Sequence, residues 1–496
     1  MRRRDFCRAT LVGGAAAALP LGRLMSAPSD VATPIAADLP AIKLSGDATV
    51  IEKAALGEFR ASLRGQLFMP GQDGYDSARH IWNGMIDKRP AVIARCAGAA
   101  DVAKAVTFAR ERELLVAVRG GGHSFPGYST CDGGLVVDLS DMRSVSVDPV
   151  ARTARVAGGA WVRDVDGEAQ HYGLATPMGQ ISDTGVGGLT LGGGFGWLSR
   201  RYGLACDNLI AVDLVTADGQ FRRVSAEENA DLFWAVRGGG GNFGVATSFE
   251  YRLHPVGPKV LAGNIAYAIE KRNEVLEFYA GFAADSPREL SADLGLAAGP
   301  NGEVSATIYV CYAGDFQSGQ RALEPLQQFG KPVGNTIAPQ DYLAVQRQFD
   351  GPHLSPMNHY LKGGFVREFS PALIDVLTND LSPDSKWGVY FQNSSGAVAD
   401  IEPTASAFAH RRTIANMMFL AVWPDAADNE QGRATVRANW DKVAPFTEGF
   451  YVNLNEADQK STDRNYGPNH SRLVALKKKY DPINLFRLNA NIQPTA

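Results

Sequence analysis

The chain has 496 residues, 45% of them hydrophobic and 21% charged, with a formal net charge of -4. These proportions are typical of a globular protein, and the absence of a basic stripe argues against nucleic acid as a partner. The sequence has no CxxC pair and no HExxH motif, so we expect neither a disulfide framework nor a metal site. The 53 glycines exceed the usual ~7% and occur in clusters, which indicates backbone lying close to a ligand.

The first predicted element is a targeting segment over residues 1–37. Arg2-Arg3-Arg4 precede an apolar run from Ala9 to about Leu21, which is the layout of a secretory signal. The pair Arg3-Arg4 followed by x-Phe resembles the twin-arginine type; an ordinary secretory signal or an uncleaved anchor is the alternative. Because a bilayer span needs ~20 apolar residues, this run is too short to insert stably. We therefore expect an exported protein, periplasmic or secreted.

Short strands and one helix are predicted after the targeting segment. Residues 91–95 and 114–118 are apolar runs of strand length, and Asp101 begins an amphipathic helix between them. The second strand leads directly into Arg119-Gly-Gly-Gly-His-Ser124. Near Pro255 the glycine clusters stop, and alternating segments with helices take over. This change predicts two domains, the first interrupted by the second.

Three glycine clusters, at residues 119–124, 185–196 and 237–244, predict a nucleotide site. Glycines let successive backbone N–H groups approach a diphosphate and surround it. A single cluster is as well explained by a tight turn, but three in one domain favour a ligand. The pattern Gly239-x-Gly241-x-x-Gly244 formally matches the dinucleotide fingerprint. It follows a helix-like segment instead of a strand, so we do not expect a Rossmann domain.

His123 stands immediately after a strand and a glycine triplet. A lone histidine is usually structural, yet these neighbours hold it against whatever the glycines bind. A neutral imidazole is a competent nucleophile. Gly122-His-Ser-Phe-Pro126 is not a nucleophile elbow, because proline replaces the last glycine, and this disfavours a serine hydrolase.

The motifs together resemble the berberine-bridge-enzyme-like flavoproteins of the vanillyl-alcohol-oxidase and p-cresol-methylhydroxylase (PCMH) superfamily. The resemblance covers nearly the whole chain after the signal, in the same order. It rests on the two glycine clusters at 119–124 and 185–196, and on Arg201-Tyr-Gly-Leu-Ala-Cys-Asp-Asn208, Gly241-Asn-Phe-Gly-Val245 and Tyr480-Asp-Pro-x-Asn-x-Phe486 with the following Asn489-x-Asn491. These motifs are specific for cofactor and fold, and much less so for substrate.

The resemblance implies an α+β fold with an FAD cofactor. A PCMH-type FAD-binding domain would occupy residues 51–257, and an inserted substrate-binding domain of antiparallel sheet plus helices residues 258–445. A C-terminal segment, 446–496, would return to the FAD domain. The residues that the resemblance assigns to FAD are Arg119, Gly120, Gly121, Gly122, His123, Ser124, Thr184, Gly185, Gly188, Leu189, Gly192, Gly194, Gly196, Asn208, Gly244, Val245, Asn489 and Asn491.

In this family the histidine of the RGGGHS-type motif bonds the 8α carbon of the flavin, and that position here is His123. A subgroup adds a second bond from a cysteine, where this chain has Ile181. The resemblance therefore implies a single covalent link through His123. Thr184 aligns with a gate position near the flavin where a small valine accompanies oxygen reactivity. Its similar shape favours molecular oxygen as the electron acceptor.

The catalytic residues are less clearly marked. Doubly linked relatives often carry tyrosines where this chain has Phe195 and Leu454, and their absence puts sugar-type oxidation in doubt. The pattern is closer to singly linked bacterial hydroxynicotine oxidases, which act on amines. The candidates are Tyr451 and Asn453 on a returning strand, Tyr390 and Gln392 on one strand face, and Lys362 in a Y-x-K context. Each of these residues alone is more often a packing residue.

The sequence thus predicts an FAD oxidase that moves hydride from a small alcohol or amine to covalently bound flavin. The alternatives are a flavin dehydrogenase with another electron acceptor and a catalytically silent flavin-binding protein. A further alternative, from a different functional class, is a secreted sugar- or peptide-binding protein without a cofactor.

Overall fold

The computed structural model describes residues 35–298, 303–350, 357–380, 387–456 and 459–494. The elements described below all lie within Ala37–Ala496. The predicted targeting segment, apart from its last three residues, lies outside the described residues. No helix in the described ranges is long and apolar enough to cross a membrane.

A small mixed sheet begins the fold. Its strands follow the order β3-β4-β6-β5, with β4, β6 and β5 parallel and β3 antiparallel at one edge. Helix α3 buries Val102, Val106 and Phe108, and the Asp101 carboxylate in its first turn accepts backbone N–H groups. The elements are β1 (Leu39–Ile42), β2 (Ala48–Ile51), α1 (Lys53–Ser62), β3 (Gln66–Phe68), α2 (Tyr75–Arg79), β4 (Val92–Arg95), α3 (Ala99–Glu111), β5 (Val116–Arg119) and β6 (Leu135–Asp138).

An antiparallel sheet follows, in the order β11-β10-β12-β8-β7. Its β10–β11 hairpin turns at Asp218-Gly219, where Gly219 has a φ of 78°. The elements are β7 (Val145–Asp148), β8 (Thr153–Ala157), α4 (Val162–Gln170), β9 (Leu174–Ala175), α5 (Val186–Leu191), α6 (Ser199–Tyr202), β10 (Leu209–Val215), β11 (Phe221–Ser225), α7 (Ala230–Val236), β12 (Val245–Arg252) and β13 (His254–Pro255).

The third sheet is antiparallel and, in the described ranges, eight-stranded, in the order β17-β14-β16-β15-β20-β21-β19 with β18 paired to β14. Its elements are β14 (Lys259–Ala268), α8 (Arg272–Asp285), β15 (Leu290–Ala298), β16 (Val304–Tyr312), α9 (Phe316–Gln328), β17 (Gly334–Asn335), β18 (Ala338–Asp341), α10 (Tyr342–Gln346), β19 (Asn358–Val366), α11 (Pro371–Asp375), β20 (Trp387–Asn393), β21 (Ala415–Trp423) and α12 (Asn429–Val443).

Alternation along these strands gives the third sheet two different faces. Leu294 and Ile308 point into a core with residues of helices α8, α9, α11 and α12. Their neighbours Gly295, Thr307 and Tyr309 lie on the opposite face, which is left open to a cavity. Because side chains alternate in a strand, one sheet packs helices on one side and offers a ligand wall on the other.

The C-terminal segment contributes α13 (Gln459–Asn465) and α14 (His470–Tyr480). Helix α14 packs Leu473 and Leu476 into the core of the second sheet. The buried Lys477 ammonium donates to the carbonyl oxygens of Asn242 and Phe486 and to Asp481 at 2.7 Å. These contacts bind the end of the chain to the third glycine cluster. The α+β fold with an antiparallel sheet and helices is confirmed, whereas the domain boundaries stay predictions.

Candidate active site

One large cavity, about 790 Å³, collects most of the predicted site residues. Its walls come from the loops after β5, from α5 and the segment before it, from the open face of the third sheet and from residues 486–490. The volume lies within the range of ~300–1,000 Å³ that is usual for small-molecule and cofactor sites. Elements far apart in sequence therefore meet at a single site.

The glycine clusters line this cavity and press against each other. A Cβ atom on Gly121 would lie 2.4 Å from the Cα of Gly185, so neither position accepts a side chain. Gly122 and Gly240 have φ values of 73° and 67°, in the left-handed region that glycine tolerates. Gly188 differs, because a Cβ there would meet no atom within 4 Å and would enter the cavity. The clusters form a surface of bare backbone on which an extended anionic group can lie.

His123 lines the cavity between an indole ring and a carboxylate. Its ring stacks on Trp82 with centroids 4.0 Å apart, and Trp82 stacks on His359 at the same distance. The imidazole Nε2 lies 3.8 Å from Asp183 Oδ1. Burial raises the pKa of Asp183, and the charge of Asp350 raises it further.

Tyr451 and Asn453 also line the cavity, at a turn instead of the predicted strand. The Tyr451 hydroxyl oxygen accepts the Gly194 N–H at 2.9 Å and the Asn453 amide at 2.8 Å. Burial raises the pKa of Tyr451 despite these donors. Because both donors occupy its lone pairs, the hydroxyl is poised to give a hydrogen bond, not to act as a base.

Tyr390 and Gln392 lie on one face of β20 and belong to a buried polar network. Asp293 accepts from the Tyr390 hydroxyl at 3.0 Å and from the Gln180 amide at 2.6 Å. Gln392 donates to Gln180 at 2.8 Å and accepts from Asn416 at 3.1 Å. Burial raises the pKa of Asp293 to about 6, against the lowering effect of these donors. Three donors, the Tyr390 hydroxyl, the Gln180 amide and the Asn393 N–H, point toward this one carboxyl group.

Lys362, the fifth catalytic candidate, does not line the cavity. On β19 the cavity-lining residues are His359 and Leu361, so Tyr360 and Lys362 fall on the other face. The Lys362 ammonium instead donates to the Glu456 carbonyl at 3.1 Å in an exposed position.

Two predicted cofactor residues support the chain instead of lining the cavity. Arg119 lies 4.0 Å from Asp138 and donates to the carbonyl of Ala78. Asn208 donates to two carbonyl oxygens of its own loop, and its Oδ1 lies 2.7 Å from His254 Nε2.

Three predicted glycines allow close packing without lining the cavity. A Cβ on Gly196 would lie 1.7 Å from the Met178 carbonyl oxygen, and one on Gly194 2.4 Å from the Ala205 Cβ. At Gly192 the Asn453 amide occupies that space at 2.2 Å. Val245 is buried in β12, and neither Val245 nor Asn491 lines the cavity. The remaining predicted cofactor residues line the cavity: Gly120, Gly121, Gly122, His123, Ser124, Thr184, Gly185, Gly188, Leu189, Gly244 and Asn489.

The motifs did not indicate Trp82, Gln180 and His359, which line the cavity, or Asp183 and Asp293, which contact the lining residues His123 and Tyr390. Asp293 carried a signal, because a single carboxylate within Ser-Ala-Asp-Leu-Gly-Leu is a charge inside an apolar strand. The others stand in stretches without a recognisable pattern.

Known families match at both ends of this arrangement. Residues 90–225 match the family described as FAD binding domain, and residues 450–493 the family described as berberine and berberine like. An FAD-linked oxidoreductase of Dictyostelium discoideum is 34% identical over 446 residues, 88% of this chain and 97% of that protein. The chain belongs to the berberine-bridge-enzyme-like FAD-linked oxidoreductases.

Two further comparisons concern one activity. The (R)-6-hydroxynicotine oxidase of Paenarthrobacter nicotinovorans is 32% identical over 448 residues, 87% of this chain and 97% of that protein. A solved structure, 6-hydroxy-D-nicotine oxidase from Arthrobacter nicotinovorans, superposes with a TM-score of 0.79 at 31% identity, covering 87% of this chain and 98% of that one.

The residues of this berberine-like oxidoreductase fit FAD. The glycine surface accepts a diphosphate at backbone distance. Ser129 and Asn489 both line the cavity, and among the described residues Ser129 Oγ and Asn489 Oδ1 are buried without a hydrogen-bond partner. Since buried polar atoms normally have hydrogen-bond partners, these two atoms are available to a polar group of a ligand.

Proposed function

We propose that the protein is an oxidase that carries FAD on a single covalent bond to His123 and oxidises a small amine or alcohol with molecular oxygen as acceptor. The observation that carries this proposal is the meeting, in one cavity, of His123 and the glycine surface with the Tyr390–Asp293 network. His123 and the glycine surface can hold a flavin, and the Tyr390–Asp293 network can accept a proton from the substrate.

The single link is supported by the position of the cysteines. Ile181 lines the cavity where doubly linked relatives have their cysteine. The described cysteines, Cys96, Cys131, Cys206 and Cys311, are buried, and none of them lines the cavity. A second bond would therefore need a thiol that the described part of the site does not offer.

Bound FAD supplies the hydride acceptor, and the protein's own part is to hold the substrate and to take its proton. As Tyr390 donates its proton to Asp293, its oxygen is free to accept an N–H or O–H of the substrate. We infer that the substrate proton moves to Tyr390 Oη while the tyrosine proton moves to Asp293 Oδ2. A neutral amine needs little of this assistance, whereas an alcohol depends on it.

A compact amine is the preferred substrate class. Trp387, Leu361, Met418 and Leu420 give the sheet wall an apolar surface that excludes water. Phe195 packs against Phe365, Phe408 and Tyr451 where sugar-oxidising relatives often carry a tyrosine. The similarity to 6-hydroxynicotine oxidase supports the same choice.

Oxygen is proposed as acceptor because Thr184, close to valine in shape, lines the cavity at the gate position. Its hydroxyl is also the reason to keep a dehydrogenase as the second candidate. We further propose export by the N-terminal segment; cell fractionation should find the mature chain outside the cytoplasm, and retention of the full-length chain in the cytoplasm would contradict it.

The test is a screen of amines, phenolic alcohols and oligosaccharides read as hydrogen peroxide. The proposal predicts peroxide with at least one amine. Anaerobic bleaching of the flavin without peroxide in air would indicate the dehydrogenase. Failure of every compound to bleach the flavin would favour a silent flavin-binding protein.

A further inference from the structure

Asp183 lies beside the imidazole of His123 and takes no part in the function proposed above. Its Oδ1 is 3.8 Å from His123 Nε2, longer than a hydrogen bond but within the range of a charge pair. Both side chains are shielded, with 8% of the histidine and 23% of the aspartate side chain exposed. Trp82 covers one face of the imidazole, so the ring is held between an indole and a carboxylate.

The backbone on both sides of Asp183 is fixed. Ser182 donates its N–H and hydroxyl to the Asp350 carboxylate at 2.9 and 2.6 Å. The Ser182 and Thr184 carbonyl oxygens accept the N–H groups of Arg163 and Val162, at 2.8 and 2.9 Å. Asp183 Oδ1 itself has no hydrogen-bond partner among the described residues. The hydrogen-bonded backbone on both sides thus places the buried Asp183 Oδ1 beside the histidine ring.

We propose that Asp183 is the positioning residue for flavin attachment: when FAD binds, its carboxylate closes the 3.8 Å gap and accepts the Nε2 proton of His123 in a hydrogen bond, so that Nδ1 is the nitrogen that bonds the flavin. This inference rests on the covalent link of the proposed function. A histidine has one donor and one acceptor nitrogen when neutral, and a carboxylate partner decides which is which. The same carboxylate stabilises the positive imidazole that arises when Nδ1 forms a bond.

The attachment balances as follows. The new bond joins His123 Nδ1 to the 8α carbon; the bonds broken are one C–H of that methyl group and the Nε2–H. Two protons are released, the Nε2 proton through Asp183, and two electrons enter the flavin ring. Molecular oxygen then takes both electrons and both protons as hydrogen peroxide. One molecule of peroxide should therefore accompany each attached flavin, before any substrate is added.

The groups facing Asp183 are Asp350, Arg163 and His123 itself. Burial and the charge of Asp350 raise the Asp183 pKa, and Arg163 lowers it. Because only the ionised carboxylate can hold the proton, attachment should accelerate as the pH rises through the pKa of Asp183. Removing the carboxylate should abolish this part of the pH profile.

The experiment compares full-length apoproteins from a riboflavin-starved host after mixing with FAD in air. Covalent flavin is read with time as fluorescence that stays with the denatured polypeptide, alongside total bound FAD and peroxide. Asp183→Asn should slow attachment roughly 10²-fold while total FAD binding stays unchanged. Lys362→Ala, a substitution outside the cavity and away from the Asp183 loop, should attach flavin at the wild-type rate.

Attachment by Asp183→Asn at the wild-type rate would overturn the inference. If that variant fails to bind FAD, Asp183→Glu and Asp183→Gln are compared, because the two replacement side chains have the same size and only glutamate is a carboxylate. The inference predicts covalent attachment in Asp183→Glu and not in Asp183→Gln, and equal attachment rates in the two variants would refute the role of Asp183. The proposed link itself would be refuted if the wild-type protein carried no covalent flavin, or if His123→Ala retained covalent flavin. The two failures are therefore distinguishable.

Discussion

Gly188→Ala separates cofactor binding from folding at one atom. Gly188 lies in helix α5, exposed on the cavity, and an added Cβ would meet no protein atom within 4 Å. Gly167 in helix α4 is equally exposed and equally free of neighbours, but it does not line the cavity. The two glycines are thus a matched pair that differs only in what the methyl group points into.

The two substitutions should change stability alike. Alanine replaces glycine in a helix with a gain of roughly 0.5–1 kcal/mol, so both apoproteins should unfold at slightly higher denaturant concentration than wild type. At Gly188 the methyl occupies space that we assign to FAD. Overpacking a filled site costs roughly 1–3 kcal/mol, and since ~1.4 kcal/mol is ten-fold, FAD should bind about 5- to 140-fold more weakly.

The assay is a fluorescence titration with FAD in the His123→Ala background, where binding is reversible, together with urea unfolding of each apoprotein. Gly167→Ala should leave FAD affinity unchanged. Equal FAD affinity in the two variants would show that the cofactor does not pass Gly188, and the assignment of the glycine surface would be wrong.

Three further results are expected. Turnover should rise as the pH rises through about 6, the pKa of Asp293, and Asp293→Asn should remove this limb and slow turnover roughly 10²-fold; an unchanged pH profile would exclude the Tyr390–Asp293 relay. Burial raises the pKa of Asp166 to about 7, so its contribution to stability is lost as the pH rises from about 4 through 7. Asp166→Asn should therefore unfold at higher urea than wild type at pH 8, by up to about 4 kcal/mol, and similarly at pH 4; equal stability at both pH values would contradict the shift. Lys362→Ala should keep wild-type turnover, and its free energy of unfolding should stay within about 0.5 kcal/mol of wild type, because the side chain lies outside the cavity. A large loss of kcat in this variant would show that Lys362 takes part in the reaction.

The sequence predicted those parts of the site whose chemistry is local. The glycine clusters, His123 and the α+β fold follow from short motifs and from the resemblance that they carry. Position within a motif did not reveal function, however: Gly194 and Gly196 meet other protein segments instead of the cavity. A glycine in such a motif indicates a close approach of other atoms to the backbone, but it does not indicate whether those atoms belong to a ligand or to another segment of the protein.

The remaining site residues could not be predicted because their partners are distant in sequence. Asp293 contacts Gln180 and Tyr390, 113 and 97 residues away along the chain. On β19, alternation separates His359 from Lys362, but it does not say which face meets the cavity. That choice depends on how the third sheet lies against the glycine clusters, which no local pattern encodes.

The most direct test of the proposal is the fate of the yellow colour when the purified protein is denatured in acid. A covalent link through His123 predicts that the flavin stays with the wild-type polypeptide and is released from His123→Ala. Colour that washes away from wild type would contradict the link, and a purified protein without colour would contradict the flavin itself.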